Sequence, residues 1–484
     1  MTDDIFWGDD TPTAPRPAGF PPLRELGRRL RDGRVSSAEL TRRCLGRIAE
    51  ADALVGAVLV VDGSAPAQAA AADRRLAAGT GRGPLDGIPV LVKDSIDTAG
   101  LASTAGSRLL ADVPPRTDAE IVQRLRAAGA VVLGKTNLTE WSSFRSTRAS
   151  EGWSAVGGQT CNPHRPDHSP GGSSSGSAAA VAAGMAPLAL GTETDGSVVG
   201  PAGACGVAGL KPPPGLLPRR GVVPISETED CVGLLAPRLE DAVLALAALG
   251  GPPAPEPRPP RTLRLGLWRV TGMPRAVNAA LDAAAEALRH RGAVVVPVEL
   301  VLERDLLADG LRAMYAEFRP SVERYLRTRA GVPQTLPDLI AANLADPVEL
   351  SLFGQDLFET ALRVSEDDRA HAVGYRGRAV ERATALLDGV LRRHGLDAVL
   401  AATNEPAWLV DHQLGDPFSP GSSTAPSLAR RPNLTLPLGT AEGLPIGLSV
   451  FGPDDLTPLL GAALGIENAL RQTAGLLPEF LPIG

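Results

Sequence analysis

Short apolar runs bounded by turn residues alternate along this chain with amphipathic stretches, and their order predicts strands separated by helices. Ser36 and Glu39 stand at capping-box spacing, which predicts a helix reaching about Ala53. A strand is expected at Ala57–Val61 and an Ala-rich helix over Pro66–Ala78, with its proline in the first turn. Ile88–Val92 is an apolar run typical of a buried strand, and it ends in Lys93-Asp94. A helix over Ala119–Ala128 and a strand over Ala130–Leu133 continue the rhythm. A small-residue helix, Ser177–Ala183, follows a Gly/Ser loop, and a strand at Leu188–Leu190 leads toward Ser197. Further on, the pattern predicts a strand (Leu263–Leu267), a helix (Ala276–His290) and a strand (Ala293–Val298). Residues 303–395 read as mainly helical, and strands return at Ala398–Ala401, Leu434–Pro437 and Ile446–Phe451. This order is that of an α/β fold with a mixed sheet covered by helices.

Residues 1–22, rich in Pro, Asp and Thr, are expected to form an N-terminal arm, and residues 23–484 one domain. The proline-rich stretch 250–260 should be stiff and extended. Strand signals on both sides of it suit one sheet, so it is read as a connection inside the domain. No internal repeat is present.

Composition adds exclusions. The 44% hydrophobic and 21% charged fractions are ordinary for a soluble protein, and a net charge of −7 without a basic stripe argues against nucleic acid. The acidic start, Met1-Thr2-Asp3-Asp4, is unlike a secretory leader, and no apolar run is long enough for a bilayer. A cytoplasmic protein without a membrane partner is therefore expected. Cys44, Cys161, Cys205 and Cys231 lack metal-ligand spacing and are expected as free thiols, and no metal or cofactor is expected.

Lysine occurs only at Lys93, Lys135 and Lys211 among 48 basic residues. Where arginine serves nearly everywhere else, a retained lysine can mark a need for an amine, since a buried lysine can lose its proton and arginine cannot. Packing accounts equally well for such retention. The run Gly171-Gly172-Ser173-Ser174-Ser175-Gly176-Ser177 precedes a core-like helix and can present backbone N–H groups. Gly191-Thr192-Glu193-Thr194-Asp195-Gly196-Ser197 puts a serine on a glycine-containing turn after a strand, a place for an exposed nucleophile. None of the six histidines (His164, His168, His290, His371, His394, His412) stands in a triad context. A lysine base remains, and Lys93 ends a buried strand.

Three stretches resemble the amidase signature family: Pro84–Asp94, Leu133–Trp141, and Gly171–Pro212. Gly158–Pro163 and Leu444–Leu448 also fit. The Glu193-Thr194-Asp195-Gly196-Ser197 form resembles the peptide amidase branch, whereas amidotransferase subunits that make glutaminyl-tRNA more often carry Asp-Thr-Gly-Gly-Ser. The resemblance implies a mixed central sheet sandwiched by helices and a Ser-cisSer-Lys triad. It puts the lysine on Lys93, the bridging serine with its cis peptide on Ser173, and the nucleophile on Ser197. The oxyanion donors fall on the backbone N–H groups of Thr194, Asp195, Gly196 and Ser197. The Ser197 hydroxyl should lie within hydrogen-bond reach of Ser173, and Ser173 within reach of Lys93. The implied activity is hydrolysis of a small amide or peptide amide. The same acyl-enzyme could instead serve an acyltransferase or amide synthase, or an amidotransferase A-type subunit.

Several positions depart from the pattern. Ser226-Glu227-Thr228-Glu229-Asp230 stands where relatives often read Ser-His-Ser-Gln-Asp, and Thr403-Asn404-Glu405-Pro406-Ala407-Trp408 carries Glu405 in place of glycine. Val199, Gly200 and Pro213 also differ. If Glu227, Glu229 and Glu405 converge on the cleft, they would favour a cationic substrate.

Overall fold

The computed structural model describes residues 18–417, 419–473 and 481–482. Its centre is an eleven-stranded sheet. In chain order the strands are β1 (Val58–Val61), β2 (Pro89–Lys93), β3 (Val131–Thr136), β4 (Ala189–Glu193), β5 (Ala208–Lys211), β6 (Cys231–Ala236), β7 (Arg264–Trp268), β8 (Val294–Val298), β9 (Ala398–Ala402), β10 (Asn433–Ala441) and β11 (Leu444–Phe451). Across the sheet they run β8-β7-β9-β11-β10-β5-β6-β4-β2-β3-β1. The pairs β2/β3, β2/β4, β7/β8 and β7/β9 are parallel; the others are antiparallel. Helices flank this mixed sheet, and strands from both sides of residues 250–260 belong to it.

Most expected elements form within a residue or two of their anticipated bounds. The helix Ser37–Val55 starts on Ser36, whose side chain accepts the Glu39 N–H at 3.0 Å. Only half of the box closes, because the Glu39 carboxylate turns to Arg43. Strands β5 and β6 are not foreseen by the hydrophobic pattern. Each contains a glycine, which weakens the strand signal, yet close packing demands it: a Cβ at Gly209 would stand 2.8 Å from Ala202 Cβ. Of the expected N-terminal arm, residues 1–17 lie outside the described residues. Ala18–Gly19 pairs in parallel with Leu481–Pro482, and a helix opens at Leu23.

Residues 303–395 form helices, the longest being Arg304–Leu326 and Ala372–His394. Phe318, Val322 and Phe358 from this region pack into one apolar cluster with Trp141, Val223 and Ile225. The helical segment thus backs the loops beside the strand ends. Among the described residues no helix is long and apolar enough to cross a membrane, and Cys44, Cys161, Cys205 and Cys231 are free thiols.

Candidate active site

Strands β2 and β4 lie side by side and parallel, with Leu91 opposite Ala189 and Val92 opposite Leu190. Their carboxyl ends therefore emerge together, where parallel sheets generally hold their ligands. Lys93 ends β2 and is fully buried, as are Lys135 and Lys211. Burial strips water from the Lys93 ammonium and lowers its pKa to about 7, although Glu193 and Asp230 pull it upward.

A neutral amine has two N–H donors and one lone pair. Thr192 offers two acceptors to Lys93 Nζ, its Oγ1 at 2.9 Å and its carbonyl at 3.4 Å. Ser173 Oγ lies 2.7 Å from Nζ, where its hydroxyl can donate to the lone pair. Thr192 is held in turn by Ser174, whose hydroxyl donates to the Thr192 carbonyl at 3.0 Å and accepts its N–H at 3.2 Å. Replacing Thr192 by valine keeps the shape and removes the hydroxyl. The expected outcome is about a fivefold to tenfold loss of kcat with KM nearly unchanged, as for one hydrogen bond of about 1 kcal/mol. Steady-state kinetics of Thr192→Val check it, and an unaltered kcat would remove Thr192 from the working site.

The Gly172–Ser173 peptide is cis. Gly171 adopts φ +71°, and a Cβ there would meet Pro201 Cα at 2.9 Å, so the Gly/Ser loop can lie against the helix Val199–Cys205 only as glycine. Gly196, at φ +82°, makes the turn that presents Ser197. The Ser197 carbonyl accepts the Ser174 N–H at 3.1 Å, which ties the two loops together. Ser173 and Ser197 line one small cleft. The expected hydrogen bond between their hydroxyls is not formed: Ser197 Oγ has no partner among the described residues. Its single χ1 torsion sets that contact, and catalytic hydrogen bonds commonly tighten only with substrate in place.

The four expected oxyanion donors carry no competing partner. The backbone N–H groups of Thr194, Asp195, Gly196 and Ser197 donate to no protein acceptor among the described residues. Buried Glu193 accepts the next two, from Val198 at 2.6 Å and Val199 at 3.0 Å, so the free donors end at Ser197. Two side chains brace the loop. Thr194 Oγ1 donates to Asp230 at 2.6 Å, and the Ser423 hydroxyl donates to Asp195. Burial pushes the Asp230 carboxyl up to about 6, against the pull of Thr194 and of the Ile225 and Ser226 N–H groups.

The acidic specificity residues expected from sequence do not come together. Glu227 is half-exposed and ion-paired with Arg324. Glu229 is buried against Arg376, which also bonds Glu317. Burial still raises Glu229 to about 7. Neither lines the cleft of Ser173 and Ser197, because each carboxylate is drawn to a guanidinium of the helical segment, which the local sequence does not disclose. Glu405, half-buried after β9, also lies outside that cleft and has no ion pair among the described residues. Sequence reasoning passed over Thr192, Ser174, Glu193 and Asp230. The first three lie inside the two glycine-containing runs, and their polarity at the mouth of buried strands was the available signal.

The strand ends thus bring together a buried amine, two serines and a row of N–H groups that are free among the described residues. The chain belongs to the amidase signature family: the Amidase family model matches residues 39–455. It is 38% identical over 453 residues to the A-type subunit of the glutamyl-tRNA(Gln) amidotransferase of Roseiflexus castenholzii, covering 87% of this chain and 90% of the relative. The crystal structure of native peptide amidase from Stenotrophomonas maltophilia superposes with a TM-score of 0.87 at 39% identity, covering 96% of this chain and 100% of that one. A structure of the peptide amidase PAM with the competitive inhibitor chymostatin gives 0.87 at 40% identity, with 95% and 99% covered.

Proposed function

We propose that this chain hydrolyses a carboxamide, a small amide or a peptide amide, through an acyl-enzyme on Ser197. The observation that carries the reading is the 2.7 Å contact between the fully buried Lys93 amine and Ser173, beside Ser197 in one cleft. Neutral Lys93 accepts the Ser173 proton while Ser173 takes that of Ser197. Ser197 Oγ bonds to the substrate carbonyl carbon, and the oxyanion faces the N–H groups of residues 194–197. The C–N bond breaks as Ser173 passes a proton to the leaving nitrogen and recovers one from Lys93. Water then attacks the ester, giving its proton to the same relay, and Ser197 leaves as the hydroxyl. No step calls for a metal or cofactor.

The likeness to peptide amidase structures supports a self-sufficient hydrolase. The amidotransferase names of the curated relatives favour a second reading, an A-type subunit that works inside a complex. Purified chain alone, offered a panel of amides and peptide amides, separates the two. Ammonia release at ordinary turnover is expected. Activity that arises only with added partner subunits would establish the second reading. A competing amine in the same assay tests acyl transfer: amide product formed in preference to acid would make the chain an amide synthase.

A further inference from the structure

A second hollow, of about 540 Å³, abuts the cleft of Ser173 and Ser197, and the two share Val222 and Asp230 in their walls. Its acids already have partners: guanidinium groups lie against Asp97, Asp118 and Glu227 (Arg329, Arg126 and Arg324), and Asp230, held by neutral donors, keeps its charge in the wall shared with the cleft. Asp97 accepts the Tyr325 hydroxyl at 2.9 Å. Asp118 takes the Ala99 N–H at 2.8 Å and Arg126 at 2.9 Å. Glu227 pairs with Arg324, and Asp230 holds Thr194 and two backbone N–H groups. The remaining wall cations are Arg219 and Arg220. Their side chains make no ion pair or hydrogen bond among the described residues.

The turn that carries them is fixed. Its backbone is held at Asp97 N–H to Gly221 carbonyl (2.8 Å), Glu120 N–H to Arg220 carbonyl (3.0 Å) and Val223 N–H to Ser95 carbonyl (2.8 Å). Gly221 sits at φ +85°, with Ala119 Cα only 2.7 Å from where a Cβ would be. Arg219 is half-buried and Arg220 exposed, so the charge of Arg219 is the less screened. Burial raises the Asp230 carboxyl, and the Arg219 charge is among the groups drawing it back, as its place beside the shared wall requires. A guanidinium on a fixed turn, without an ion pair among the described residues and in a hollow that shares a wall with the Ser197 cleft, is a ready fork for a carboxylate.

We propose that Arg219, with Arg220 at the rim, forms an anion-recognition subsite, and that the preferred substrates are carboxamides bearing a carboxylate on the acyl portion. This rests on the amidase reading above and reverses the substrate charge that the glutamates suggest from sequence. The discriminating experiment measures kcat/KM for a series of ω-carboxy carboxamides of increasing chain length. The same amides ending in a hydroxymethyl or an ammonium group serve as comparisons. Wild type should prefer the carboxylate by about tenfold to a hundredfold at one length, as one charged hydrogen-bonding contact gives. Salt should weaken the preference. Arg219→Gln should bring the carboxylate-to-hydroxymethyl ratio near unity, mainly through KM. Arg219→Lys should keep part of it, having the charge without the fork.

A wild type that prefers the neutral or cationic series overturns the subsite. So does an Arg219→Gln variant that melts like wild type and loses both series equally. If no amide of any series is turned over, the amidase reading fails on its own. Calorimetric binding of the ω-carboxy amide then decides the subsite: weaker binding to Arg219→Gln than to wild type supports it, and equal binding overturns it.

Discussion

Ser197→Ala abolishes turnover, with kcat lowered on the order of 10⁵-fold, while the protein folds as before. Nucleophile deletions in serine enzymes cost this much because the base and the oxyanion donors have nothing left to act on. Here the structural cost is small. Ser197 is partly exposed and its hydroxyl bonds no protein group among the described residues, so alanine leaves no buried polar atom stranded. The change in stability should stay within about 0.5 kcal/mol. Kinetics and a thermal melt on one preparation check both halves. Retention of more than a few per cent of wild-type kcat would remove Ser197 as nucleophile. It would leave Ser173, on the same cleft, as the next candidate.

Lys93→Arg is nearly as damaging as Lys93→Ala, with an expected loss of kcat on the order of 10³-fold or more for either. Conserved charge is no help, because the role requires a group that is neutral at working pH, and a guanidinium stays protonated. The pH profile carries the sign. With Lys93 lowered to about 7 by burial, the base is protonated and idle below that pH and free above it. Wild-type kcat/KM should therefore rise with pH through a limb near 7, and Lys93→Arg should lack the limb. Lys135→Arg and Lys211→Arg should keep it. Lys135 bonds the Ile96 carbonyl at 2.7 Å and pairs with Asp94 at 3.2 Å, and Lys211 bonds the Arg431 carbonyl at 3.0 Å. The larger head at those buried positions overpacks and should appear as about 1–3 kcal/mol of lost stability. Substantial activity in Lys93→Arg would end the neutral-lysine relay.

Legibility followed the range of the signal. Ile88–Val92 reads as a strand because a parallel strand with neighbours on both sides must be apolar throughout, and β2 meets that requirement. The scarcity of lysine and the glycine of the Ser197 turn make Lys93 and Ser197 candidates from short stretches of sequence, and the resemblance to the amidase signature family supplies their expected roles. Strand β5 is hidden because its glycine weakens the strand signal, and the reason for that glycine, Ala202 of the preceding helix packed against it, exists only once helix and strand fold back on each other. Thr192 was overlooked because its task depends on a parallel neighbour: it serves Lys93 from the adjacent strand, 99 positions along the chain.

Local chemistry therefore determined the α/β alternation, the buried strand ending in Lys93, and the serine turns, since these are set by runs of a few residues. Charge near the cleft was decided only by tertiary structure. Glu227 and Glu229 read as free acids in their own segment, and they are paired by Arg324 and Arg376 from the distant helices Arg304–Leu326 and Ala372–His394. Arg219 and Arg220 carry no local signal in the sequence, and among the described residues their side chains make no ion pair, while guanidinium groups from elsewhere lie against Asp118 and Glu227 in the same hollow. An ion pair forms with whatever partner the fold places within a few ångströms, so the sign of the charge left over depends on contacts between distant segments.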